Sequence, residues 1–238
     1  ATDLNAKVTV RLVKGQDYEF VFWAQAEGKS HYSINTAYPP VVTVNYDALA
    51  ANDESRDAFY AVTKLHIEKG MGIENVTLTR PFAKVRVITT DLSECIEKLG
   101  LQPSTATVTY TTETYDKFDA RNKNVWSVNS NDNVKSIDYA TSTPVYGEDN
   151  LFVDYILVPQ GTQSTVKFDL NVTKVINRSF NTDIAVEANK LTTIKGNILT
   201  NGSDIKVDVN DDFASETIYL EGDVTLTKDM KINRPIVV

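Results

Sequence analysis

The two histidines, His31 and His66, are the first side chains to consider for catalysis or metal binding. His31 lies in a polar stretch, and His66 lies between Leu65 and Ile67 in a segment of strand character. A catalytic histidine must be held against a nucleophile, and no Gly-x-Ser-x-Gly motif accompanies either one. A zinc site would need a second histidine at helical spacing or nearby thiolates, and the sequence offers neither. Both histidines are therefore predicted to be structural.

Carboxylates are the most numerous reactive groups, with 32 Asp and Glu residues. Glycoside hydrolysis needs two carboxylates facing each other across a cleft, and a sequence this rich in acids does not single out such a pair. The acids from Asp204 to Asp212 lack the central glycine and closing glutamate of a calcium loop, so a solvated turn is predicted. The single Cys95 excludes an internal disulfide and a thiolate metal site. We expect no catalytic residue, cofactor or metal, and hence no enzyme.

Three basic residues, Arg80, Lys84 and Arg86, stand close together in VTLTRPFAKVRVIT (residues 76–89), although the chain carries a net charge of −8. A general affinity for nucleic acid needs Lys and Arg clustered over a larger surface, so we expect no nucleic acid partner. Alternation along the segment directs the apolar residues between the bases toward a core. It therefore predicts that Lys84 and Arg86 form a solvated strand face.

Aromatic residues in loop-like segments offer one binding hypothesis. Tyr32, Tyr38, Tyr115 and Trp126 could form a platform, because aromatic rings stack on the apolar faces of ligands such as sugars. The competing interpretation, which we favour, is that each ring packs locally. A carbohydrate-binding surface module of the cell envelope remains the alternative function.

The elements that must position these residues are mainly β-strands. Short segments alternate apolar and polar residues between turns, and YEFVFWAQA (residues 18–26) is apolar at nearly every position, which predicts a strand covered on both faces. Many short strands at this spacing favour β-sandwiches over βαβ units. Two segments have helical character, DESRDAFYAV (residues 53–62) with Asp53 as N-cap and DLSECIEKLG (residues 91–100) with Gly100 as its stop.

Four stretches, taken in order, resemble the fimbrillins of Bacteroides-type bacteria, the FimA-like or Mfa-like subunits of cell-surface fimbriae. They are LVKGQDYEFVFWAQ (residues 12–25), NDESRDAFYAV (52–62), VTLTRPFAKVRVIT (76–89) and NKLTTIKGNILTNGSDIKVDVNDDF (189–213). The resemblance implies a mainly β chain of two transthyretin-like β-sandwich domains with one or two short helices. We place the domains at residues 1–112 and 113–213, followed by a β tail at residues 214–238.

The resemblance also implies a function. Such a protein is a non-enzymatic surface subunit or adhesin, exported as a lipoprotein precursor to the outer membrane. The export signal of the precursor is expected to be missing from this chain. Its partners are other fimbrial subunits, and two subunits join when a strand of one fills a groove in the next. A glycan or protein on the surface of a host cell or bacterium is a further candidate partner. Trimming at a basic residue makes Arg11 the candidate processing site. The tail is a candidate donor strand, or the start of a further module, with four apolar residues in one phase: Ile218, Leu220, Val224 and Leu226.

Overall fold

The computed structural model describes residues 8–45, 53–69, 75–100, 105–127, 136–140, 150–172, 175–211 and 236–237. Across these ranges the chain is mainly β, as the alternation predicts. No helix in the described ranges has the length and apolar character that a membrane crossing requires.

The strands, in chain order, are β1 (Asp17–Gln25), β2 (Tyr32–Asn35), β3 (Val41–Val44), β4 (Ala58–His66), β5 (Phe82–Thr89), β6 (Thr105–Tyr110), β7 (Lys117–Asp119), β8 (Asn124–Trp126), β9 (Ser136–Ala140), β10 (Asn150–Leu157), β11 (Ser164–Val172), β12 (Ile176–Val186), β13 (Leu191–Gly196), β14 (Lys206–Asn210) and β15 (Ile236–Val237). Helix α1 is Leu92–Leu99, and a 3-10 turn occupies Glu54–Arg56.

Pairing of these strands gives four sheets in the described part of the chain. Their strand orders are β15-β1-β4 in sheet A, β2-β3-β7-β8 in sheet B, β10-β5-β13-β14 in sheet C and β12-β11-β6-β9 in sheet D. Most neighbours are antiparallel, but β5 is parallel to β13 and β15 is parallel to β1.

Sheet C is the middle of three layers. Ala83, Val85 and Val87 of β5 face a core that sheet C shares with sheet D. Phe82 of the same strand faces a second core, which sheet C shares with sheets A and B. Both faces of β5 are therefore buried, and this position explains why its neighbour β10, with the sequence NLFVDYIL, is apolar in both phases.

The predicted domain boundary between residues 112 and 113 does not match this pairing. Strands β3, β5 and β6 precede the boundary, and they pair with β7, β10 and β11, which follow it. Sheets B, C and D each combine strands from both sides, so both cores draw on both sequence ranges. Alternation identifies a strand and its buried face, but it carries no information on the strand that becomes its neighbour.

The segment from residue 53 to residue 62 is also not the predicted helix. Its helical part ends after one 3-10 turn, and β4 begins at Ala58. Asp53 caps the turn as predicted, since its side chain accepts a hydrogen bond from the Ser55 amide. The following Phe59, Tyr60 and Val62 favour a strand, and pairing with β1 satisfies their backbone groups. The second predicted helix is confirmed as α1, which ends at a left-handed Gly100.

Candidate functional site

Within the described residues, strand β1 has one fully paired edge and one largely open edge. On one side it pairs with β4 along its whole length. On the other side the described residues place only β15, with Phe22 opposite Ile236 and Trp23 opposite Val237. Unpaired N–H and C=O groups along a strand edge are a template for a further strand. Residues 17–21 therefore present such an edge within the described part of the chain.

The side chains of β1 divide between two faces. Trp23 is buried in the core that sheets A, B and C share, and Val21 packs against that core. On the opposite face Tyr18, Phe20 and Phe22 form a row of rings, with 6.2 Å between the centroids of successive rings. These three rings are only half-buried, and Val21 on the other face is half-buried as well, so the predicted burial of both faces is met in β1 at Trp23 alone.

Two regions are predicted to take part in assembly, the processing site at Arg11 and the donor strand in the tail. Arg11, the candidate processing site, is exposed and lies outside any strand or helix on the approach to β1, and cleavage there stays a prediction. The predicted donor residues Ile218, Leu220, Val224 and Leu226 lie outside the described residues. The described end of the tail is β15, whose backbone pairs with β1.

Beside sheet A lies a group of interacting ionic side chains that we call the buried charge cluster. Its members are Glu54, Arg56, Asp57, Arg80, Lys84 and Asp154. The predicted solvated face is therefore wrong for Lys84, whose exposed fraction is 1%. Because β5 lies in the middle layer, its second face meets the core of sheets A and B instead of water. Arg86 on that face is half-buried and donates a hydrogen bond to the Thr193 hydroxyl over 3.3 Å.

The pair of Arg80 and Asp57 has bidentate geometry. Arg80 donates from Nε to Oδ1 over 2.8 Å and from Nη2 to Oδ2 over 2.9 Å, and its guanidinium lies 4.5 Å from the centroid of the Phe59 ring. Burial raises the pKa of Asp57 to about 6, while the hydrogen bonds from Arg80 act in the opposite direction. Asp57 lies in the stretch at residues 52–62 and Arg80 in the stretch at residues 76–89, so this ion pair joins two of the four stretches that resemble fimbrillins.

The other members of the cluster cover the edge of sheet C. Arg56 pairs with Asp154 and donates from Nη2 to the backbone oxygen of Tyr155 over 2.9 Å. Since β10 is an edge strand, Arg56 takes a place that a neighbouring strand would otherwise fill. Lys84 Nζ lies 3.0 Å from Oε1 of Glu54. Each cation of the cluster is matched by a carboxylate, so the arrangement fits a structural role.

Three residues of the catalytic-triad types come together near the 3-10 turn. His31 Nε2 lies 2.9 Å from the Ser55 hydroxyl and 3.3 Å from Oδ2 of Asp53. In a catalytic triad the nucleophile and the acid contact different ring nitrogens, whereas both contact Nε2 here. Asp53 also accepts from the amide and hydroxyl of Ser55. The geometry is that of a helix cap to which a histidine is hydrogen-bonded. Because His31 and Ser55 are 24 residues apart, no local sequence pattern predicts this contact.

The remaining chemical candidates are dispersed. His66 is exposed and contacts Asp17 across the end of sheet A at 2.7 Å. Cys95 is buried in the core between sheets C and D, where burial raises the pKa of its thiol. Within the described ranges, no three His, Cys, Asp or Glu side chains are grouped so as to hold a metal ion.

The four predicted platform aromatics do not form one surface. Tyr32 is buried and donates to the backbone oxygen of Arg56, and Tyr115 packs against the core of sheets A and B. Tyr38 and Trp126 are exposed, but they lie at opposite ends of sheet B, since Tyr38 follows β2 near the Val41 end and Trp126 pairs with Lys117.

Two crystal structures of Bacteroides proteins are among those similar to this chain, and one family model matches its sequence. A protein from Bacteroides ovatus, proposed to act in cell adhesion, is 11% identical, with 87% of this chain and 72% of that chain covered and a TM-score of 0.46. A proposed adhesin from Bacteroides thetaiotaomicron is 12% identical, with 88% and 80% covered and a TM-score of 0.44. No curated protein matches the sequence significantly. The model of a family described as a family of unknown function, DUF6562, matches residues 1–233, and the chain belongs to that family.

Proposed function

We propose that this protein is a non-enzymatic cell-surface subunit of the fimbrial or adhesin type, which joins other subunits by β-strand addition at the open edge of β1. Its place of action would be the outer membrane or a fimbria, after export and trimming near Arg11. The resemblance of four sequence stretches to fimbrillins supports the proposal, and the half-open edge of β1 is the observation that carries it.

Strand addition at this edge has a physical basis in both backbone and side chains. An added strand would satisfy the backbone groups of residues 17–21 that have no strand partner among the described residues. It would also extend the row of rings formed by Tyr18, Phe20 and Phe22, and so cover apolar surface that is only half-buried. A strand donated by one copy to the β1 edge of the next makes a head-to-tail contact, which produces an open polymer unless the rotation closes a ring.

A cysteine pair can test whether the C-terminal strand adds to β1 of another copy. One chain carries Phe22→Cys and the other carries Ile236→Cys, both with Cys95→Ser so that each has one thiol. Neighbouring strands lie about 4.8 Å apart, within the Cα separation that a disulfide spans. We expect mixing under oxidising conditions to give a disulfide-linked dimer of the two different chains on non-reducing gels. The Phe22→Cys chain is used in two forms, at full length and truncated after Asp211. The truncated form lacks its own β15, which would otherwise compete with the donated strand for the edge of β1.

The matched control replaces Phe22→Cys by Phe20→Cys, two residues away on the same face of β1. It is expected to give several-fold less crosslinked dimer, because strand register fixes which positions are opposite each other. Equal crosslinking in both mixtures, or no dimer with either acceptor chain, would count against donation of the C-terminal strand.

A further inference from the structure

The turn between β7 and β8 holds an arginine in a fixed position at the surface. Asp119, itself buried, accepts hydrogen bonds at Oδ1 from the amides of Arg121 and Asn122, each over 3.0 Å. Its backbone oxygen accepts from the Lys123 amide over 2.8 Å, which closes the turn. A turn tied at three amides restricts the backbone that carries Arg121 before any ligand binds.

A second turn lies alongside this one. The pairing of Val41 with Asp119 places the turn between β2 and β3 next to the turn between β7 and β8. As a result the Arg121 guanidinium lies over one face of the Tyr38 ring, 4.7 Å from its centroid. Tyr38 is 71% exposed, so most of its ring surface faces solvent.

The same arginine belongs to a charged group at the surface. Arg121 donates from Nε to one oxygen of Glu19, and Lys64 Nζ lies 3.4 Å from the other oxygen. The exposed side-chain fractions are 18% for Glu19, 32% for Arg121 and 75% for Lys64, so the carboxylate lies behind the two cations. The hydrogen bond from Arg121 holds the pKa of Glu19 below its ordinary value.

This arrangement leaves hydrogen-bond donors available to a ligand. Among the described residues, the side-chain hydrogen bond of Arg121 is the one from Nε to Glu19, and neither Nη group donates one. The two cations, Arg121 and Lys64, are more exposed than the two carboxylates behind them, Glu19 and Asp119, so positive charge faces the solvent here on a chain whose total charge is −8. A guanidinium held through Nε presents its remaining donors in a planar fork that matches a carboxylate.

We propose that Tyr38, Arg121 and Lys64 form a binding site for an acidic sugar, a pyranose that carries a carboxylate. The C–H face of the sugar packs on the open face of the Tyr38 ring, and its carboxylate accepts hydrogen bonds from Arg121 with Lys64 nearby. The site is distinct from the β1 edge that would accept a strand, since Glu19 contributes its side chain and not its backbone edge. Sugar binding by the isolated chain therefore tests this site without requiring assembly.

Titration of the full chain with glucuronate and glucose, followed by NMR shifts of the Arg121 and Tyr38 amides, tests the proposal. Single sugars bind weakly, and we expect glucuronate to saturate with a dissociation constant of about 1 mM and glucose to bind at least about tenfold more weakly. Tyr38→Ala and Arg121→Gln should each weaken glucuronate binding about fivefold to tenfold. Trp126→Ala, an exposed aromatic at the other end of sheet B, and Lys98→Gln, an exposed cation on α1, should bind as the unmodified chain does.

Three results would overturn the proposal. They are equal binding of glucose and glucuronate, no saturation by glucuronate at about 20 mM, and equally tight binding of a glutamate-rich peptide. The last result would assign the site to acidic protein segments. Circular dichroism of each variant separates loss of binding from loss of fold, and Tyr38→Ala removes a side chain that is mostly in solvent.

Discussion

At the scale of single residues, Arg80 is a basic side chain that is buried in an ion pair with Asp57. Arg80 is buried and bonds both oxygens of Asp57, while its planar face covers Phe59. A buried ion pair contributes little net stability relative to an apolar pair, because both charges lose their hydration. Removing one partner is different, because the other charge then remains buried without compensation.

The corresponding prediction compares single and double substitutions. Asp57→Asn is expected to lower the free energy of unfolding by about 3–5 kcal/mol, since Arg80 keeps its charge in the interior. The double variant Asp57→Leu with Arg80→Met should recover most of that loss, because it removes both charges of the pair together. Urea unfolding followed by circular dichroism measures both.

The control for this comparison is Glu94→Gln, which breaks the exposed pair of Glu94 and Lys98 on α1. Exposed pairs of this kind contribute little, so the unfolding midpoint should stay close to that of the unmodified chain. A double variant as unstable as Asp57→Asn would contradict this prediction, because it would show that the loss does not come from the uncompensated charge of Arg80.

At the scale of elements, Asp91 joins the start of α1 to the loop after β13. Its carboxylate accepts hydrogen bonds from the amides of Leu199 and Thr200 and from the hydroxyls of Thr89 and Thr200. Burial alone would raise the pKa of Asp91, but the hydrogen bonds from Thr200, Thr89 and Leu199 outweigh it, and the pKa lies below its ordinary value of 3.8. The Gly-Asn-Ile-Leu-Thr element at residues 196–200 thus supplies donors for a buried carboxylate.

This depressed pKa has a defined consequence for stability. The folded state favours the ionised carboxylate more than the unfolded state does, so Asp91 stabilises the fold above pH 4. That contribution is lost as pH falls through the folded pKa. Asp91→Asn should therefore lower the free energy of unfolding by about 1–3 kcal/mol at pH 7 and by less at about pH 2.5, which lies below the ordinary pKa of 3.8. Urea unfolding at the two pH values measures this, and an equal loss at both would contradict the assigned role of the charge.

The elements also show how far the sequence determines this fold. Alternation identifies the strands, and the helical character of residues 91–100 with Gly100 as its stop identifies α1, because these signals are local. The segment at residues 53–62 fails as a helix because pairing with β1 outweighs its acidic first turn. Lys84 fails as a solvated residue because alternation assigns a face and not the layer that this face meets. The contact of Arg121 with Tyr38 depends on the register of β3 with β7, which no local pattern encodes.

At the scale of the whole molecule, three layers are built from both halves of the sequence. The middle layer, sheet C, orders β10, β5, β13 and β14, so a strand from the first half lies between two from the second. The two cores on either side of this layer share β5 and β10. A layer assembled this way buries its apolar faces only when both halves are present.

This interleaving makes a prediction about the boundary at residues 112/113. Fragments covering residues 1–112 and 113–238, expressed separately, should each lack a cooperative unfolding transition and a dispersed amide NMR spectrum. Each loses the strands beside β5 or β10, and with them the burial that outweighs the loss of conformational entropy on folding. The intact chain should unfold in one transition, and co-expression of the two fragments should restore dispersion. A dispersed spectrum from the fragment 113–238 alone would instead support two sandwiches divided at residue 112, and would show that the pairing across the boundary is not needed for either to fold.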